Sequence, residues 1–178
     1  SAQGPKLVEQ RFFALGTVGL STVQIKFDID AAATAPTLEA YCEKSASAVP
    51  GWLFKRRSYM KNLLNGRTEI ENLPKPPGAH IGQILIKAPG ITGVEFLVDN
   101  VKWRDAIPLE LHNHILKQNG RSPRVDEYLI DFMLEGDMYG SLKLDAAIRD
   151  MRLKIDSEIE GQCEIVVYYF SNYAQSTF

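Results

Sequence analysis

Apolar and polar residues alternate from Val23 to Ile29, with Val23, Ile25, Phe27 and Ile29 separated by Gln24, Lys26 and Asp28. Period two predicts a half-buried strand, within a mostly extended stretch from Arg11 to Ile29. Gly16 and Gly19 predict a kink, a bulge or a hairpin inside that stretch. Thr34 or Thr37 can cap a helix that tolerates Pro36 in its first turn, runs to about Ala48 and stops at Pro50-Gly51. A second helix is predicted from Leu53 to Leu64, ended by Asn65-Gly66. At about 100° per residue its inward side would be Leu53, Met60, Leu63 and Leu64. Residues 67–80 are polar and proline-rich, and 71–80 reads as a stiff surface loop.

Ile81 to Lys87 and Ile91 to Trp103 predict two strands around the turn Ala88-Pro89-Gly90. Pro108 opens a short helix, Leu109 to Gln118, closed by Asn119-Gly120. Ser122-Pro123 followed by Asp126 and Glu127 predicts another helix, to Leu134, with a strand as the alternative there. Met151, Leu153 and Ile155 alternate, Glu160-Gly161 turns, and Cys163 to Phe170 is apolar, which predicts a C-terminal hairpin over 149–171. With no βαβα rhythm, the expected class is α+β: a mainly antiparallel sheet with three or four helices packed on it around a single core. Residues 1–10 would be a flexible lead-in and 11–178 one domain.

Composition agrees with a folded chain, since 45% hydrophobic and 24% charged residues are globular proportions. Cys42 and Cys163 lie far apart and form no ligand spacing, which points to a reducing compartment. There is no apolar signal core and no run near the ~20 residues of a membrane span, so the expected location is cytoplasmic or peripheral to a membrane.

Charge changes the picture more. The net charge is −2, yet Lys44 to Thr68 carries six bases and no acid, leaving 14 bases and 22 acids elsewhere, a balance of −8. A positive segment on an acidic body suggests an anionic partner or self-association. Its candidate contact residues are Trp52, Lys55, Arg56, Arg57, Tyr59, Lys61 and Arg67. Cations there could meet anionic headgroups, and the aromatic rings could stack on RNA bases. The bland alternative is a solvated helix with core aromatics.

Catalytic chemistry is poorly represented. Glu110, His112 and His114 alternate, so on a strand they could hold a divalent metal for a small hydrolase. On a helix the two histidines sit about 200° apart and cannot share an ion. No nucleophile elbow or phosphate loop is present, and no cofactor is implied. The 71–80 loop could instead serve a protein-binding adaptor or inhibitor.

The order RFFALGTVGLSTVQIKFDI, TLEAYCEKSASAV, a glycine turn and KRRSYMKNLLNG, over about 11–70, resembles rhabdovirus matrix proteins, especially the short plant-virus type. The resemblance implies a non-enzymatic, self-associating virion protein that contacts ribonucleoprotein and an anionic membrane. It would place Lys55, Arg56, Arg57 and Lys61 at the membrane contact.

Overall fold

A computed structural model describes residues 16–42, 46, 49, 51–71, 73–136 and 138–172. The chain divides into two units, Ser1–Gly51 and Trp52–Phe178. In the first unit no described residue belongs to a helix or strand. Val23, Ile25, Phe27 and Ile29 alternate as the sequence says, but each is more than half exposed. Alternation alone does not make a strand; a ladder partner is needed, and none pairs with them among the described residues. The helix expected to Ala48 is absent from described residues 34–42; its remainder falls partly outside the described residues, as do 1–10 and 11–15.

All regular structure described lies in the second unit. It comprises β1 (Trp52–Leu63), β2 (Gly66–Ile70), β3 (His80–Lys87), β4 (Ile91–Val98), β5 (Val101–Arg104), α1 (Leu109–Gln118), β6 (Glu127–Asp131), β7 (Leu142–Lys143), β8 (Met151–Ser157) and β9 (Gly161–Asn172). One sheet has the order β1-β9-β3-β6, with β7 on β3; the other has the order β2-β8-β4-β5. Every pairing is antiparallel. Successive strands mostly cross from one sheet to the other, which is the winding of a two-sheet jelly roll.

The expected α+β class is therefore wrong: two antiparallel sheets carry the fold, with α1 the one α-helix among the described residues. The predicted helix over Leu53–Leu64 is strand β1, and of the two readings that end at Leu134 the strand is the one found, as β6. The inward set read at helical spacing fails accordingly. Leu63 is buried, but Met60 and Leu64 are 54% and 61% exposed. The turns about Pro89 and Gly161 do not close hairpins either. β3 and β4 lie in different sheets, as do β8 and β9. The turn that does close a hairpin is Asp99-Asn100 between β4 and β5, both residues with positive φ (48° and 65°). Two left-handed residues match the twist of the strands they join.

Burial alternation then follows strand by strand. Met151, Leu153 and Ile155 of β8 face inward, and Arg152, Lys154 and Asp156 face outward. Ile165, Val167 and Tyr169 of β9 meet them across one continuous core with Ile84, Ile86, Val94 and Phe96. One open side of the sandwich is closed locally, between the edge strands β5 and β6. Arg104 of β5 donates to the Asp131 carbonyl of β6 at 3.0 Å.

The 71–80 segment keeps Glu71, Pro74 and Pro77 exposed and is anchored between them. Leu73 and Ala79 are buried, and Pro74 accepts the Tyr169 hydroxyl at 2.9 Å. Lys75 Nζ donates to the carbonyls of Ile148 and Arg149, and the segment's end exchanges backbone bonds with Leu144.

Candidate assembly surface

Among the described residues β1 is the edge strand of its sheet, twelve residues long and paired only to β9. Period two separates the basic residues that a helix would have wrapped around itself. Lys55, Arg57, Tyr59 and Lys61 lie on the side whose register partners are Tyr169, Val167, Ile165 and Cys163, all core residues. Tyr59 packs against that core. The three cations share a row at the rim, spaced by about 6.6 Å for each step of two residues. Desolvation first, then the neighbouring Arg57, lowers the Lys55 pKa. Cations on an exposed edge also oppose uncontrolled strand-to-strand pairing.

The other candidates point elsewhere. Arg56 is on the outer face, 3.5 Å from Glu164. Glu164 also accepts from Ser58 and pairs with Lys87 at 3.1 Å, so its carboxyl titrates below its usual range. Trp52 meets His80 edge-on (5.4 Å) and Phe170 (5.6 Å). Arg67 lies on the second sheet, held by both oxygens of Asp156 at 2.7 and 2.8 Å. The seven residues thus split into a rim row of three cations, Tyr59 packed on the core between two of them, Trp52 at an aromatic corner and two neutralised arginines, not one patch.

The outer face of the second sheet carries charge pairing that the sequence reading did not single out. Glu95, only 5% exposed, lies 2.9 Å from Lys102 and 3.5 Å from Lys154. Arg152 pairs with Glu69 (3.2 Å) and Asp150 (2.5 Å) and reaches Asn100. The hydrogen bonds from Lys102 and Arg67, respectively, hold Glu95 and Asp156 below their ordinary pKa values. The alternation of β8 in the sequence was the available signal, since it put Arg152, Lys154 and Asp156 on one face.

The histidine group does not assemble a metal site. Glu110, His112 and His114 are on α1, where alternate positions diverge. His112 turns inward, donates Nε2–H to the Leu129 carbonyl at 2.9 Å and stacks on Tyr128 at 4.0 Å. Glu110 and His114 are exposed, and among the described residues no three potential ligands converge. No described helix is long and apolar enough to cross a membrane.

The profile of the family "viral coat protein P2 C-terminal domain" matches residues 54–173. The chain belongs to that family. The major capsid protein P2 of Pseudoalteromonas phage PM2 is 51% identical over 172 residues, covering 97% of this chain and 64% of that protein. Its crystal structure superposes with a TM-score of 0.93 at 49% identity, over 100% of this chain and 66% of that one. The chain thus spans a little under two thirds of the length of these relatives. A structure of Sulfolobus turreted icosahedral virus shares the fold alone, with TM-score 0.53 and 14% identity over 70% of this chain and 40% of that one.

Membership of the P2 C-terminal domain family overturns the rhabdovirus matrix resemblance. The resemblance rested on a strand, a helix and a basic helix in order over 11–70, and the basic helix is an edge strand. The matrix role and RNA binding fall with it.

Proposed function

We propose that this chain is a structural module of a virion coat that joins copies of itself side by side. The observation that carries this reading is the jelly-roll strand order over a segment matched by the P2 C-terminal domain family. The rim cations of β1 supply a physical means. Lys55, Arg57 and Lys61 project from an acid-free stretch, whereas the chain outside 44–68 has a balance of −8. Such a distribution attracts positive rim to acidic neighbour and orients their encounter. A rim on one copy meeting a different surface on the next is a heterologous contact, the kind that builds rings and shells.

Zero-length carbodiimide cross-linking of a mixture of ordinary and nitrogen-15 chains tests this reading. Cross-links from Lys55 or Lys61 to carboxylates of the oppositely labelled chain are expected. If every such link joins residues of like label, the side-by-side contact is wrong.

A further inference from the structure

Asparagine followed by glycine occurs twice in the chain, at Asn65-Gly66 and Asn119-Gly120. Such a pair is chemically labile, because a glycine nitrogen has no adjacent Cβ to shield it from the asparagine side-chain carbon. All four residues are exposed, so their surroundings decide which pair reacts.

The two pairs are held very differently. Asn119 caps α1. Its Nδ2 donates to the Ile115 carbonyl at 2.9 Å, and Gly120 N–H donates to the Lys117 carbonyl at 3.1 Å. Leaving group and nucleophile are both engaged there. Asn65 lies between β1 and β2, outside both strands. Among the described residues no hydrogen bond holds its side chain. Leu64 N–H on Thr68 Oγ1, at 2.9 Å, braces the turn without involving Asn65. Gly66 sits at φ 101°, and nothing stands within 4 Å of where its Cβ would be. Its pair with Ser157 is the last of the β2–β8 ladder, and strand ends fray most readily.

We infer that Asn65 is a self-modification site, which converts to aspartate and isoaspartate while the helix cap protects Asn119. The Gly66 nitrogen gives its proton to hydroxide and attacks Asn65 Cγ. The new Cγ–N bond closes a cyclic imide and the Cγ–Nδ2 bond breaks. The departing amide nitrogen takes a proton from water and leaves as ammonia. Water then adds to either imide carbonyl. Reopening at Cγ leaves aspartate; reopening at the backbone carbonyl leaves isoaspartate, with the chain running through Cγ. Each event puts a carboxylate into 44–68, a stretch with six bases and no acid. The site is independent of the contact between copies.

The test is peptide mapping of the native chain after incubation in mildly alkaline buffer made with heavy-oxygen water, beside the same chain in denaturing urea. Label incorporated in each peptide records conversion during the incubation. In urea the two pairs should convert at similar rates. In the native chain Asn65 should convert at least about fivefold faster than Asn119, the factor that one net hydrogen bond commands. Its products should include isoaspartate, identified against synthetic peptides. Isoelectric focusing should show an acidic species that Asn65→Gln removes and Asn119→Gln leaves. Equal native rates, a faster Asn119, aspartate alone, or an Asn65 that converts only in urea would each overturn the inference. The comparison of native and urea-treated chain decides without any variant.

Discussion

Arg121 Nε lies 2.6 Å from Asp131 Oδ2, and the Asp131 side chain is fully buried. The same carboxylate accepts from Gln83 Nε2 (3.1 Å) and from the Met133 backbone (2.9 Å), while Arg121 also donates to the Met133 carbonyl. One buried charge thus ties the loop after α1 to β3, β6 and the chain leaving β6. Removing one partner strands the other in low dielectric. Arg121→Ala should destabilise the fold by about 2 kcal/mol, because the arginine is partly exposed and the full buried-pair penalty of ~3–5 does not apply. Urea denaturation checks this; a loss under about 0.5 kcal/mol, the range of an ordinary surface change, would contradict it.

Two glycines should differ in their tolerance of alanine. A Cβ at Gly140 would stand 2.5 Å from the Phe132 carbonyl oxygen, a backbone atom. At Gly82 the nearest atom, at 2.6 Å, is Met133 Cε, the end of a flexible side chain. Methionine can move aside and a packed backbone cannot. Gly140→Ala should cost on the order of 2 kcal/mol, and Gly82→Ala about half that. Thermal unfolding of the two variants side by side would show the reverse order if this is wrong.

Acid should weaken the fold in two stages. His80 lies between Phe170 and Trp52 and donates Nδ1–H to Ser141 Oγ, whose own proton is given to the Met138 carbonyl. Burial first, then Lys143, lowers its pKa; burial also lowers that of His112. The unfolded chain therefore binds protons that the folded chain refuses, so stability falls as the pH drops below about 6.5, the ordinary histidine value. Glu95, Asp156 and Glu164, all lowered, contribute fully above the ordinary carboxylate range near 4. That part is lost as the pH falls through their depressed values. Melting temperature against pH should show both stages, with the upper one reduced in His80→Gln, His112→Gln. A flat profile from about pH 7 to 5 would contradict the first stage.

The two cysteines should react at very different rates. Cys42 is exposed; Cys163 is fully buried on β9, and burial pushes its thiol up to about 11. The thiolate is the reactive form, so a thiol reagent should label Cys42 alone in the native chain and both after denaturation. Native labelling of Cys163 would place β9 wrongly.

Some elements were legible and others were not, for physical reasons. α1 was read correctly because Pro108 and Asn119-Gly120 mark its ends chemically. The alternation of β8 and the apolar run of β9 were legible because both strands lie within their sheets and bury one whole face. β1 was misread because it is an edge strand. Its rim positions hold Lys55, Arg57 and Lys61 where an interior strand would show aliphatic residues, so no strict alternation remains. Which sheet a strand joins depends on partners far along the chain, and the turns at Pro89 and Gly161 say nothing about it.

Sedimentation velocity over a wide range of concentration and salt tests the coat-module account most directly. The native chain should form species larger than a monomer, which recede with added salt and in the Lys55→Ala, Arg57→Ala, Lys61→Ala variant. A chain that stays monomeric at every concentration and salt would contradict it.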